Sequence, residues 1–460
     1  MKAPVELLRD YQPKPDFQAP PTSDEALALT YAERYAGTLR YVAAWARWLK
    51  FDGGRWQFED TLAAFDLARA ICREAAAGCN KPGQARKLAD ARSVAAVERL
   101  ARSDRRLAAR VDQWDADPWL LNTPAGSVDL RSGRLRPHRV EDYLTKATAV
   151  VPAGDCPRWL EFLQRITDGD DELELFLQRV AGYCLTGATS EHALFFGHGT
   201  GANGKSVFVN TLAGVMGDYA TTAAMETFTA SKSDRHPTDL AGLRGARLVT
   251  ATETEEGRRW AEARIKTLTG GDKVSARFMR QDFFEFVPQF KLLIVGNHKP
   301  GLRGVDEAIR RRMNLIPFAV TIPEAERDEG LSDKLRAEWP GILRWMVDGC
   351  ADWQRDGLEK PEAVKRATES YLAAEDALAL WLAECCTTKP NDTAMSAALF
   401  KSWSRWATAA GEFVSSQKRF SQAIEDRGFI KTPMRAGAQF QGIAIIPEPT
   451  PAPYWENDSL

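Results

Sequence analysis

The segment Gly199-Thr200-Gly201-Ala202-Asn203-Gly204-Lys205-Ser206 spaces a glycine, four residues and Gly-Lys-Ser as a phosphate-binding loop does. Every residue type in it answers a demand of polyphosphate. Glycines at 199, 201 and 204 allow positive φ and let the main chain approach phosphate oxygens without a Cβ in the way, so consecutive N–H groups form a concave anion nest. Lys205 brings a full charge, and the Ser206 hydroxyl is a ligand for Mg2+. Val207 continues the first turn of a helix whose positive dipole end faces the same phosphates. The cofactors expected are therefore ATP and Mg2+, held along Gly199 to Val207.

Further polar groups stand where such a site needs them. Leu248-Val249-Thr250-Ala251-Thr252 is a β-prone run that ends in Glu253, a carboxylate able to reach Mg2+ and the attacking water. Glu255 and Glu256 follow closely, and the choice between Glu253 and Glu255 stays open. Leu292-Leu293-Ile294-Val295 is apolar throughout, as in a strand buried on both faces, and ends at Gly296-Asn297, where an amide can orient water against the γ-phosphate. Arg310-Arg311-Arg312 precedes another strand-like run, Met313 to Phe318, and a rigid arginine there can act as a finger toward a neighbouring subunit's nucleotide; surface ion pairs are the plainer reading.

Between those strands, Lys266, Lys273, Arg277 and Arg280 interleave with Phe278 around a turn. Charge for phosphates beside rings for bases makes single-stranded DNA the expected ligand. A solvated charged hairpin is the alternative, with Lys266 or Arg277 paired to Glu253 or Asp272. Asp115-Ala116-Asp117 has the look of a metal site, but with no strand before it and no partner cluster it reads as a helix-ending turn.

The elements that must position these groups follow from the apolar pattern. Ala193 to Gly197 makes a strand into the glycine-rich turn. Phe208, Leu212, Val215 and Met216 give one buried helix face, and Gly217 stops it. Strand ends at 198, 253 and 296 then share one edge of a parallel sheet, where α/β folds bind ligands. Around this core, at 187–320, the chain divides into an arm or linker at 1–23, rich in proline, and a mainly helical region at 24–186. That region holds a hairpin signal at Trp48 to Trp56, with both tryptophans read as core, and a strand-and-turn unit at 118–152. A helical extension at 321–374 leads through a polar stretch at 355–370 to a winged helix at 375–450 and a tail at 451–460. Three helical patterns and a ribbon define that last unit, in which Lys418, Arg419, Lys431 and Arg435 can touch phosphates or serve a protein contact.

Composition bounds the function. Of 460 residues, 44% are hydrophobic and 27% charged, with a formal net charge of −2, so any nucleic-acid surface has to be local rather than a property of the whole molecule. Seven cysteines with no C-x-x-C pair exclude a zinc ribbon or a disulfide framework and read as reduced core residues. No apolar run approaches the ~18 residues of a membrane span, and no signal peptide opens the chain, so the expected location is cytoplasmic.

Taken together, the motifs resemble the superfamily III helicases in the C-terminal half of phage and plasmid primase-helicases, related to the poxvirus-type primase-helicase. The carrying residues are Gly199 to Ser206; Thr252 to Gly257; Ile265 to Asp272 with Ala276-Arg277; Gly296-Asn297-His298-Lys299-Pro300; Asp306 to Arg312 with Ile316-Pro317-Phe318; and Leu120-Leu121-Asn122 to Tyr143-Leu144-Thr145. The resemblance spans about residues 24 to 450. It implies an α/β fold with an AAA+-like P-loop ATPase core, assembled as a homo-hexamer that moves along single-stranded DNA, usually 3′ to 5′, in replication of a phage, plasmid or integrated mobile element. It assigns phosphate and Mg2+ to Lys205 and Ser206, water activation to Glu253 and the polar sensor to Asn297. Arg311 and Arg312 match the family's arginine pair, while Arg310 stands where an aromatic is common, which leaves the finger undecided. No archaeo-eukaryotic-type primase domain fits ahead of the helicase part, so a separate primase or loader is the expected partner. Two other classes remain: a protein-remodelling AAA+ ATPase, indifferent to single-stranded DNA, and a replication initiator that binds duplex origin DNA through the winged helix.

Overall fold

The structure is a computed structural model that describes residues 19–230, 238–253, 257–279, 282–302, 305–412, 414–435 and 437–447. Arg280, Glu255, Glu256, most of the 1–23 arm and the 451–460 tail lie outside the described residues.

The chain enters α1 (Asp24–Tyr35) where the Ser23 hydroxyl accepts the Ala26 N–H at 3.2 Å, an N-cap with Asp24 and Glu25 in the first turn. Strands β1 (Leu39–Val42), β2 (Arg47–Phe51) and β3 (Trp56–Phe58) form an antiparallel sheet, followed by helices α2 (Ala63–Ala77), α3 (Pro82–Leu88) and α4 (Ala91–Ala101). Apolar faces of α1, α2 and α4 meet through Leu27, Tyr31, Ile71, Val94 and Val97. Trp48 and Trp56 are buried, as read; their indole N–H groups donate to Glu98 Oε1 at 2.6 Å and to the Val140 carbonyl at 3.0 Å. The expected strand-and-turn unit is a second antiparallel sheet, β4 (Leu120–Thr123), β5 (Gly126–Asp129) and β6 (Arg134–Arg136). Asp115 accepts the Thr145 N–H at 2.8 Å, a tie between the segments that flank this sheet, and no His/Cys/Asp/Glu cluster able to hold a metal occurs among the described residues.

Helices α5 (Pro157–Thr167) and α6 (Asp171–Leu185) lead into the core. Its elements are β7 (Leu194–His198), α7 (Lys205–Met216), β8 (Ala220–Thr222), α8 (Thr238–Ala241), β9 (Leu248–Glu253), α9 (Glu262–Gly270), β10 (Val274–Ala276), β11 (Phe284–Phe286), β12 (Lys291–Gly296), α10 (Glu307–Arg310) and β13 (Met313–Pro317). Five strands make one sheet in the order β13-β7-β12-β9-β8, every pair parallel. Because side chains alternate along a strand, each strand feeds two cores. Phe195, Leu293, Val295 and Ile316 face Trp159, Phe208 and Leu212. Leu194, Phe196, Leu292, Ile294 and Leu315 face Trp260, Ile265 and Leu268. Near-continuous apolar strands are what two covered faces require.

After the sheet come α11 (Leu331–Ala337), α12 (Trp339–Asp356) and α13 (Glu362–Ala374). The polar stretch at 355–370, placed within the helical extension at 321–374, is largely helix, and α13 packs on edge strand β13. There the Thr368 hydroxyl accepts the Leu315 N–H at 2.9 Å, and the Tyr371 hydroxyl accepts the Trp260 indole N–H at 3.0 Å.

Helices α6 and α12 touch at Gly182 and Gly349. A Cβ on Gly182 would lie 2.1 Å from the Cys350 amide nitrogen, and one on Gly349 would lie 2.3 Å from the Gln178 carbonyl. Gly182→Ala is therefore expected to cost about 3 kcal/mol by forcing the helices apart, read as a fall in thermal midpoint. An unchanged midpoint would show that the pair can separate freely.

The floor of the sheet holds two buried cations. Arg247 donates to the Leu185 and Leu120 carbonyls at 2.6 and 2.8 Å, and Lys291 Nζ donates to the Thr186 and Ala188 carbonyls. Burial pushes the Lys291 ammonium down from its ordinary value of 10.5 to about 7. Between those two values the unfolded chain holds a proton that the folded chain has released. Stability from this group therefore rises with pH from about 7 to 10.5 and is lost as pH falls through 7. Urea unfolding at several pH values should give a smaller upward slope for Lys291→Met than for the unaltered chain; equal slopes would contradict this.

The last region contains α14 (Ala377–Cys385), β14 (Cys386–Thr387), β15 (Thr393–Met395), α15 (Ser396–Ala409), α16 (Gln417–Glu425), β16 (Ile430–Met434), β17 (Gly437–Gln441) and β18 (Ala444–Ile445). Its core is Trp381, Leu399, Trp403, Phe420, Ile424 and Phe440. Beside the three helices and ribbon of the sequence reading, β15 joins β17 as a third strand, and β14 pairs with β18. Glu375 accepts the Leu302 N–H at 2.8 Å and Arg259 pairs with Glu412 at 3.4 Å, so a cut at residue 375 severs contacts with the core. Among the described residues no helix is long and apolar enough to cross a membrane.

Candidate nucleotide site

Parallel register brings three strand ends together: His198 of β7 stands opposite Gly296 of β12, and Gly296 opposite Glu253 of β9. Between β7 and α7 the turn takes positive φ at Gly201 (117°), Ala202 (49°) and Gly204 (80°). Gly199 does not, so its reason differs from the one expected. A Cβ there would lie 2.0 Å from Asn203 Nδ2 and 2.3 Å from the Phe318 carbonyl. It is a close-approach glycine. Gly204 needs both freedoms, since a Cβ would also meet Ile166 of α5 at 2.5 Å.

The turn is clamped from two sides. Asn203 Nδ2 donates to the Phe318 carbonyl at 3.1 Å, Ile322 N donates to the Ala202 carbonyl at 2.7 Å, and Phe318 N donates to the His198 carbonyl at 2.8 Å. Asn203, expected along the phosphate path, thus spends its buried amide on the loop itself. Thr200 and Ser206 are exposed, Val207 half-buried, and nothing lies within 4 Å of a Cβ built on Gly201. The helix N-terminus beyond this open turn runs for 12 residues, long enough for a dipole that favours an anion.

Lys205 is the hub. Its Nζ donates to Asn297 Oδ1 at 2.6 Å, the Gly199 carbonyl at 3.0 Å and Asn203 Oδ1 at 3.3 Å, all neutral acceptors. Burial lowers its pKa, and burial together with Lys299 lowers that of His198. Lys205, His198 and Lys299 thus crowd one side of exposed backbone, a donor set that fits a polyphosphate. His198 and Lys299 were given no role from sequence; only their positions at or just beyond strand ends could have signalled one. Glu253 is buried, and a Cβ on Gly296 would lie 2.7 Å from its Cβ, so glycine at that position lets the acid lean over the end of β12.

The arginines separate. Arg310 and Arg311 are exposed, whereas Arg312 is buried, with Nε donating to Thr269 Oγ1 at 3.1 Å and Nη1 to the Ala308 carbonyl at 2.8 Å. Such contacts fix α10 to α9. The basic segment is also divided. Lys266 belongs to α9 and pairs with Asp306, not with Glu253 or Asp272; Gly271 (φ 80°) ends the helix, and Lys273 and Arg277 belong to the antiparallel β10–β11 hairpin. Lys273 approaches Glu285 at 3.7 Å and Arg277 lies over Phe283 at 4.8 Å.

Residues 28–168 match a family described as D5 N terminal like, and residues 197–312 match a family of unknown function (DUF5906). The chain is 25% identical over 283 residues to "Putative helicase L207/L206" of Acanthamoeba polyphaga mimivirus, covering 56% of this chain and 29% of that protein. It is 24% identical over 260 residues to "Putative helicase 022R" of Frog virus 3, covering 52% of this chain and 27% of the relative. The match thus takes in less than a third of each relative's length. Among solved structures, the C terminal region (305-718) of NrS-1 shares the fold, with a TM-score of 0.51, 10% identity and coverage of 92% of this chain and 99% of that one. The chain is similar to viral proteins named as helicases and carries a mixed α/β fold with a five-strand parallel sheet and a helical N-terminal region.

Proposed function

We propose that this chain is the motor of an ATP-dependent DNA helicase of superfamily III type, with an AAA+-like P-loop core at 187–320, a winged helix at 375–450, and translocation on single-stranded DNA during replication of a mobile element. The observation that carries the reading is Lys205, at the start of α7, with its Nζ 2.6 Å from Oδ1 of Asn297, which follows β12 directly, while Glu253 ends the adjacent parallel strand β9 opposite Gly296. ATP with Mg2+ would supply the phosphoryl group whose hydrolysis drives motion. Gly199 to Val207 cradle the phosphates, and Lys205 leaves its three oxygens to neutralise them. Ser206 and Glu253 would hold the metal, Glu253 would accept the water's proton, and Asn297 would orient that water. Exposed Arg311 acts as the finger in a homo-hexamer, while buried Arg312 positions the helix that carries it. Lys273 and Arg277 of the hairpin contact DNA; Lys266 braces α10. A separate primase or loader completes the replication machinery.

Unwinding of a forked DNA by the purified chain tests the reading. ATP-dependent strand release, lost with Lys273→Ala at unchanged basal hydrolysis, is expected; hydrolysis that never yields strand release would favour a protein-remodelling ATPase. Assembly has its own test. Mixing inactive Lys205→Ala subunits with inactive Arg311→Ala subunits should restore activity, because mixed rings contain interfaces where an intact loop meets an intact arginine. A fully active monomer would contradict the shared site.

A further inference from the structure

A run of rings and guanidinium groups crosses from the N-terminal region to the β10–β11 hairpin. Arg47 lies over Phe58 at 5.5 Å, and Phe58 meets Trp45 edge-on at 5.5 Å. Arg244 lies over Trp45 at 5.8 Å and over Phe284 at 5.2 Å, and Phe284 stacks on Phe278 at 5.6 Å. Two segments more than two hundred residues apart in sequence thus share one surface through Arg244.

This surface is not finished as a core. Phe58 and Phe278 are 49% and 41% exposed, Arg47 is exposed, and Trp45 and Phe284 are half-buried. An apolar joint between two regions would close its rings and keep guanidinium groups out. Along β11 the alternation puts Phe284 and Phe286 on one face and Glu285, with its neighbour Lys273, on the other, which separates the acid from the rings. Stacked arginines keep their charge and N–H donors for phosphate while the rings present π faces to bases, the two ingredients of a sequence-tolerant grip on a single strand. In a chain of net charge −2, such grouping of fixed cations is what charge complementarity to a polyanion needs.

We propose that Trp45, Arg47 and Phe58 of the N-terminal region, with Arg244 of the core, form a second single-strand contact continuous with the hairpin. The proposal rests on the reading that the chain engages single-stranded DNA. Binding of labelled oligo-dT to the full chain tests it, with Phe58→Ala and Arg47→Ala as probes, since both replace exposed side chains and should leave the melting temperature unchanged. Each is expected to weaken binding about tenfold. Phe58→Trp should retain affinity, and oligo-dT carrying 5-iodouracil should crosslink to Phe58 or Trp45. Wild-type affinity in both alanine variants, with weakened binding in Lys273→Ala, would overturn the second contact and leave the hairpin standing. Failure of the unaltered chain to bind oligo-dT would remove both. Should the variants keep their affinity but form smaller particles by light scattering, the stripe is a contact between copies of the chain and the proposal falls.

Discussion

Lys205→Ala is expected to lower ATP turnover by about a thousandfold while leaving the chain folded. The lysine is buried among three neutral oxygens at one side of an open, glycine-lined turn, so among the described residues its hydrogen-bond acceptors carry no charge and it is held ready for phosphate. Charge that develops on the transferring phosphoryl group then loses its nearest compensation in the variant. Truncation also strips a donor from Gly199, Asn203 and Asn297, but a net cost of about 1 kcal/mol per lost hydrogen bond is small beside the loss of catalysis. Steady-state hydrolysis and circular dichroism on the same preparation check both halves. Near-normal turnover in folded protein would show that Lys205 is only a strut for the loop.

Glu253→Gln should bind ATP and hydrolyse it at least a hundredfold more slowly, about what loss of a general base costs. The amide keeps the shape of the carboxylate over Gly296 yet cannot take a proton from water. Retention of labelled ATP through gel filtration, with no product formed, is the expected signature. Glu255→Gln serves as the comparison, because the sequence leaves two carboxylates in contention and only Glu253 ends the strand. If Glu255→Gln traps ATP and Glu253→Gln turns over normally, the catalytic carboxylate has been misassigned.

Why these positions were legible from sequence is physical. A glycine-rich turn between a strand and a helix has few alternative folds, and unbroken apolar runs such as Leu292 to Val295 have only a doubly covered strand to occupy, so the parallel core followed from pattern. Tertiary partners do not leave such marks. Nothing local tells that Gly199 is a close-approach glycine, that Lys266 turns to Asp306, or that Arg312 is buried under Thr269 while Arg311, its neighbour, stays exposed. Nor does the sequence tell that α13 turns Thr368 and Tyr371 to the core, where their hydroxyls accept the Leu315 and Trp260 N–H groups. The aromatic stripe through Arg244 was invisible for a related reason: its rings come from two distant segments, and the tryptophans that drew notice, Trp48 and Trp56, are the buried ones.

The central claim is that one site hydrolyses ATP and that single-stranded DNA drives it. The most direct test is the ATPase rate of the purified chain with and without oligo-dT, with particle mass measured in the same buffer. A rate that rises severalfold on adding oligo-dT, in a particle several times the mass of one 51.1 kDa chain, is the predicted result. A rate indifferent to oligo-dT, or hydrolysis by a strict monomer, would contradict it.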